Sequence, residues 1–441
     1  MSEPGGKKPF RLEDYRLAAQ KEQIQKEGWA SPEALQAAAG LPGEADASKA
    51  VPAGKRSRLA LGWKLFWNWV LTRLNGWELV LVVASITGIA VATYMFTSSF
   101  DPGSVGLFAL IALVPLSLVL VVMLRADRFA PLPGRYWWFA AAWGAGVAAL
   151  LAGALNSALY SDLILTTGNL EDSELWAATL VAPVNEELLK GAGVILVLLI
   201  ARPKVVSRIN GLAIGGVAGA AFAFVENIQY FVEAQAEGTA VLGMTILARS
   251  VLSPFVHPMA TSMIGYFYAS ALLKQGRAFS WIWRVALGFL LAMGLHALWN
   301  FLASLALLWV ILYLAIEVPL FAGWLIWVSW LGRREMQKVG RGLSSYVAAG
   351  WLTEPELLAV TTLGGRRYSR KWARKVGGGA KKAMRTYMRS AGRLGADQAN
   401  MEVWGPDPAR VELAKSALRS MTRSRETITR LGDIYYAGAE Q

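Results

Sequence analysis

Residues 182–190 read Ala-Pro-Val-Asn-Glu-Glu-Leu-Leu-Lys and set Glu186, Glu187 and Lys190 in the middle of an apolar run, Leu175 to Ile200. A helix needs about 20 mostly apolar residues to cross a bilayer, and this run is long enough. Ionisable groups at that depth cost roughly 2.5–3.5 kcal/mol each on insertion scales, so their presence points to function. Helical spacing places Glu186 and Lys190 at i,i+4 and Glu187 and Lys190 at i,i+3, so the ammonium can face either carboxylate.

Outward from this stretch, apolar runs recur through the middle of a 441-residue chain that is 55% hydrophobic, which places it among helical membrane proteins. The runs predict an all-α, polytopic membrane helix bundle of about eight transmembrane helices. They are Trp77–Phe96, Val105–Leu124, Tyr136–Leu155, Leu175–Ile200, Gly211–Phe231, Ile246–Leu273, Val285–Ser304 and Leu307–Leu331. Nineteen Trp suit interfacial aromatic belts. The chain has no Cys, which excludes disulfides, thiolate metal sites and a cysteine nucleophile.

Charge in the loops sets orientation. The loops holding Arg125, Arg128 and Arg135, then Arg202, Lys204 and Arg208, then Lys274, Arg277 and Arg284 are basic. Those between them carry Asp101, then Asp162, Glu171, Asp172 and Glu174, then Glu233 and Glu237. This alternation follows the positive-inside rule and predicts cytoplasmic N- and C-terminal tails in a bacterial-type cytoplasmic membrane. Arg249 is the local exception; it can snorkel or pair with an acid. Three regions result: a polar, largely disordered tail (1–76), a transmembrane domain (77–331, site core 175–304) and a basic helical tail (332–441). In the first, Ser31-Pro32-Glu33 reads as a helix start; in the last, Thr353-Glu354-Pro355-Glu356 does. The cluster from Arg366 to Arg385 reads as a surface for anionic lipid headgroups. Nucleic acid is not expected as a partner, since no aromatic stacking motif accompanies the cluster.

Polar groups recur on the three spans after the first motif: Glu226-Asn227, then His257, then His296 with Asn300. The two histidines are the only ones in the chain. All these groups fall between the bilayer midplane and its outer half, which predicts one shared cavity. Gly211, Gly215, Gly216, Gly219 and Ala220 allow the fifth span to pack closely. The chemistry these residue types permit is water-mediated hydrolysis. One of Glu186 and Glu187 serves as general base while Lys190 keeps the other ionised, and His296 and Asn300 donate to a developing oxyanion. In the metal alternative, His257 and His296, with Glu186 or Glu226, hold a zinc ion that activates the water. A different class of function, a proton- or cation-coupled transporter, would use the same buried carboxylates.

The set Glu186-Glu187-x-x-Lys190, Phe222-x-x-x-Glu226-Asn227, His257 and His296 resembles the PrsW family of intramembrane proteases. That family is related to the CAAX-prenyl endopeptidase (Abi) superfamily, whose third motif His296-x-x-x-Asn300 also resembles. The resemblance implies an intramembrane endopeptidase acting on a single-pass or membrane-anchored protein, such as an anti-sigma factor, in regulated proteolysis. It further implies Glu186 as base, Glu226 as its assistant, and His296 and Asn300 as oxyanion donors. Where the CAAX enzymes have EExxxR and FxxxH, this chain has EExxK and FxxxE.

Overall fold

The computed structural model describes residues 76–273, 280–305, 307–405 and 408–437; the readings for the N-terminal tail through position 75 and for Lys274 and Arg277 lie outside them. The described residues are helical, with no strand among them. Among the described residues, seven helices are long and apolar enough to cross a membrane. Helices α1 (Gly76–Ser99) and α2 (Pro102–Ala126) come first, α2 opened by Asp101, whose side chain accepts from Ser104 N at 2.7 Å. Helix α3 (Gly134–Thr167) runs a turn or more past its expected end.

Helix α4 is the continuous path 170–200, made of Leu170–Trp176, a π-helical turn Ala177–Val181 and Ala182–Ile200. It corresponds to the fourth expected span, Leu175–Ile200, and is set apart from the seven by its three ionisable residues Glu186, Glu187 and Lys190. Next is α5 (Arg208–Glu237), then α6 (Thr239–Ile246, continuing as a π turn Leu247–Leu252). A break at Ser253-Pro254-Phe255 leads into α7 (Val256–Leu273), followed by α8 (Ser280–Ala303). The last span, α9, joins Leu307–Leu312 through a π turn Tyr313–Glu317 to Val318–Ala348.

The bundle is organised around α5, in which every residue from Ile209 to Phe222 is buried. A helix apolar all round belongs at the centre of a bundle. Its neighbours are α2, α3, α4 and α7. Gly211, Gly215 and Gly219, spaced by four, form a stripe against α7. A Cβ on each would run into the carbonyl oxygens of Gly265, Thr261 and His257 respectively. Backbones therefore touch here, as small residues permit in membranes, and His257 is carried close to the bundle axis. Large apolar side chains such as Val83, Leu110, Val114 and Leu290 face outward, as expected for a multi-pass membrane protein.

Helix α9 continues without interruption through Gly332 to Ala348. Beyond it lie α10 (Glu354–Thr361), α11 (Leu363–Val376), α12 (Gly378–Trp404) and α13 (Pro408–Ala437). The expected start at Thr353 is a capping box: Glu356 Oε2 accepts from Thr353 N at 2.9 Å, and Thr353 Oγ1 from Glu356 N at 3.4 Å. This helical layer grips the loop between α4 and α5. Arg393 donates to Lys204 O at 3.0 Å and Pro203 O at 2.9 Å, and Arg410 to Val205 O at 3.2 Å. Asn400 and Lys338 both donate to Val206 O, at 2.9 and 2.7 Å. Loop carbonyls that would otherwise be buried without partners are thereby satisfied.

Candidate active site

Prolines shape the elements that carry the site. Among the described residues, three of the four π turns end two positions before a proline: Val181 before Pro183, Leu252 before Pro254, Glu317 before Pro319. A proline lacks the N–H and crowds the carbonyl four residues back, so the turn before it widens. Carbonyls released in this way attract side-chain donors. Ala178 O accepts from Asn300 Nδ2 at 2.7 Å, and Leu252 O from Tyr313 Oη at 3.0 Å. The widened turns lie just ahead of Glu186 on α4 and of His257 on α7, and one of them holds Arg249.

Four helices converge. Helix α4 contributes Glu186, Glu187 and Lys190, α5 contributes Glu226, α7 contributes His257, and α8 contributes His296. Glu187 and Lys190 are wholly buried, and Glu186, His257 and His296 are less than a tenth exposed. Lys190 Nζ lies 2.6 Å from Glu187 Oε1, 3.4 Å from Glu186 Oε2 and 3.0 Å from His257 Nδ1. It also sits 4.2 Å from the centre of the Phe222 ring, a favourable place for a desolvated cation. His296 Nδ1 is 3.2 Å from Glu187 Oε1, and His257 Nε2 is 2.8 Å from Glu226 Oε2. The two imidazoles meet edge to face with centroids 4.7 Å apart. Beside His257 a small cleft, bordered by Asn227, Arg249 and Trp299, encloses about 20 Å³, room for about one water molecule.

Residues 132–324 match the model of the PrsW family intramembrane metalloproteases; no curated protein and no solved structure matches. The chain carries a PrsW-family protease domain. It runs from the loop before α3 into α9 and so includes all four helices of the cluster. The protein is accordingly an intramembrane protease with several membrane-spanning helices.

The PrsW description implies a metal, and the residues present fit one. Glu186, His257 and His296 offer ligand atoms that all lie within 4.8 Å of one another. Glu186 Oε2 is 4.0 Å from His257 Nδ1 and 3.8 Å from His296 Nε2. Ligand atoms around a tetrahedral zinc stand about 3.4 Å apart for bonds of about 2.0–2.1 Å. To hold an ion the two glutamate–histidine separations, now 4.0 and 3.8 Å, would each close by roughly half an ångström. The outward nitrogen of each histidine meets a carboxylate, Glu226 behind His257 and Glu187 behind His296. Metal-binding histidines are held in this way, which fixes the tautomer and aims the free lone pair. Lys190 already shows that the centre attracts positive charge, since its ammonium touches both glutamates of α4 and His257 Nδ1.

The cluster also draws in residues that the sequence reading did not place at the site. Asn156 of α3 donates to Glu186 Oε1 at 3.2 Å and accepts from Asn185 at 3.2 Å, which leaves Oε2 turned toward the histidines. Thr261, one turn beyond His257, donates to Glu187 Oε2 at 2.9 Å. Arg249, for which snorkelling or pairing with an acid was expected, pairs with Glu226 and donates to Asn227 Oδ1 at 2.8 Å. It stacks 3.8 Å from the Tyr230 ring centre. Asn227 therefore serves Arg249. Asn300, one turn from His296, is drawn to the backbone at Ala178 and away from the cluster. For Arg249 the available signal was an arginine isolated in an apolar run.

Proposed function

We propose that the chain hydrolyses a peptide bond of a single-pass or otherwise membrane-anchored protein at a metal centre formed by Glu186, His257 and His296. The observation that carries this reading is the convergence of these three donors from three helices, with a carboxylate behind each histidine. Three protein ligands with an open fourth position match catalytic zinc, and zinc is the proposed ion. When bound, such an ion polarises the scissile carbonyl and lowers the pKa of a coordinated water. Glu226 and Glu187 hold His257 and His296 in the required tautomers. Asn156 fixes one oxygen of Glu186 so that the other faces the centre. Arg249 keeps Glu226 in register, and Lys190 offsets the charge of the α4 carboxylates.

The cleft beside His257 has space for a hydrolytic water but not for a polypeptide. Substrate must therefore reach the site by parting helices at the cleft, where Phe224, Arg249 and Trp299 form the rim. The alternating loop charges support cytoplasmic tails and a site in the outer half of the membrane. An anti-sigma factor cleaved on its extracytoplasmic side fits that placement.

One observation favours a second reading, a glutamate-type protease. Lys190 Nζ, 3.0 Å from His257 Nδ1, itself fills part of the place a metal would take. In that reading Glu186 is the base and His296 the oxyanion donor. Purified protein in detergent, presented with a transmembrane peptide library, separates the two. Cleavage lost on chelation and restored by zinc supports the metal centre. Cleavage that survives chelation but fails in Glu186→Gln refutes it in favour of the glutamate site.

A further inference from the structure

A separate cavity of about 710 Å³ lies where α2 ends and α3 begins, roofed by the C-terminal helical layer. Its size is that of a ligand pocket. Two charged stripes face it. Arg366, Arg370 and Arg374 follow one another at intervals of four on α11. Lys381, Arg385 and Arg389 do the same on α12, and Arg128 adds a guanidinium from the loop after α2. Like charges at i,i+4 destabilise a helix, so these stripes are not explained by helix stability. The only acid at the cavity, Asp127, is buried and already accepts from Asn210 at 2.7 Å.

The buried arginines add an independent observation. Arg366 is 4% exposed. Its terminal nitrogens donate to Val360 O at 3.0 Å and Arg128 O at 2.8 Å, while its Nε has no partner among the described residues. Arg128 Nε is likewise buried without one. Burial, and then repulsion from Arg370, lowers the pKa of both groups from the ordinary arginine value. The cavity thus concentrates cations that lack a counter-charge.

Apolar groups also line the cavity. Leu124 on the last turn of α2 is 58% exposed and Trp138 near the start of α3 is 76% exposed, with Trp137 beside it. Tryptophans at the ends of spans sit at headgroup level. A small free anion would have no use for these groups, whereas an amphiphile would contact both kinds of lining. We propose that this cavity is a binding site for the phosphate headgroup of an anionic phospholipid, with the guanidinium stripes on the phosphate and Leu124, Trp137 and Trp138 on the glycerol and acyl region. Basic pockets beside transmembrane helices bind such headgroups. Lipid at this position bridges the membrane-spanning bundle and the C-terminal layer.

Native mass spectrometry of the full chain in neutral detergent tests this, with dioctanoyl phosphatidylglycerol, dioctanoyl phosphatidylcholine and inorganic phosphate as separate additions. The expected result is a discrete phosphatidylglycerol adduct and none with phosphatidylcholine. The triple variant Arg370→Ala, Arg374→Ala, Arg385→Ala alters exposed side chains and should leave the melting temperature unchanged. It should weaken the adduct on the order of 100-fold, from about 1 kcal/mol per basic residue. Arg423→Ala with Arg430→Ala, exposed on α13 away from the cavity lining, should leave it intact. Equal retention of both lipids, unchanged binding by the triple variant, or equal loss in the α13 variant would overturn the proposal. Displacement of the lipid by inorganic phosphate would overturn the lipid assignment in favour of a free phosphate.

Discussion

The molecule buries charge in two places and treats it differently. In the membrane, Glu186, Glu187, Lys190, His257 and His296 bond chiefly to one another, side chain to side chain. At the junction of the C-terminal layer, Arg393 and Arg410 flank the buried Asp397, with Arg410 Nη1 3.0 Å from Asp397 Oδ1, and spend their remaining donors on loop carbonyls. The first network converges on a point where Glu186 Oε2, His257 Nδ1 and His296 Nε2 approach one another, with Lys190 Nζ beside two of them. The second disperses over backbone and leaves little to offer a ligand. Buried polar networks rigidify when their members are satisfied. The junction therefore behaves as a clamp, and the intramembrane cluster, on the proposed function, as a site prepared for a guest cation and a water.

This contrast breaks most sharply at the histidines. His257→Ala and His296→Ala should each abolish peptide cleavage per folded molecule while leaving membrane insertion intact, measured on the same purified samples. The carboxylates behind them come next. Glu187→Gln and Glu226→Gln should each lower metal affinity about 10–100-fold, as loss of an outer hydrogen-bond partner does. Zinc titration calorimetry reads this directly, and unchanged affinity would remove the two glutamates from the site's support.

At the clamp the expected change is in stability alone. Arg410→Met removes one of the two arginines beside Asp397 while Arg393 remains, and a lost hydrogen bond to a charged group costs about 1.5–3 kcal/mol. Denaturant titration should show that loss while cleavage per folded molecule stays at the parental level. The smallest effect is a pH dependence at Glu356. Burial pushes its carboxyl up, but hydrogen bonds from Thr353, Tyr387 and Arg425 outweigh this and hold it below the ordinary glutamate value. A depressed folded pKa means stability that is present above the ordinary value of 4.5 and lost as pH falls through the folded one. Melting scans across the acid range should show that slope, and Glu356→Gln should flatten it.

Much of the bundle could be read from the chain because lipid forces long apolar runs into helices. Glu186, Glu187, Lys190, Glu226, His257 and His296 announced themselves for the same reason, as polar groups where each is costly. The Gly211, Gly215 and Gly219 stripe was legible as a packing face, though not which helix it would meet. Asn156 and Thr261 were not legible. A single amide or hydroxyl costs little in a membrane helix, and only the third dimension brings Asn156 to a carboxylate thirty positions away. The widened turns were hidden for another reason: Pro183, Pro254 and Pro319 were visible, but their relief by π geometry depends on donors from other helices. In the C-terminal segment, composition suggested that Arg366 belonged to an open lipid-facing surface. It is instead buried on two carbonyls, because a basic run says nothing about which of its members turns inward.

The narrowness of the cleft beside His257 bears on selectivity. A pocket that reads side chains must be large enough to hold them, and this one holds about a single water. On the proposed mechanism, discrimination then shifts from fit to timing. On that mechanism the site stays closed until the helices at the cleft part, and a substrate would be selected by how readily its own helix unwinds while they stand apart.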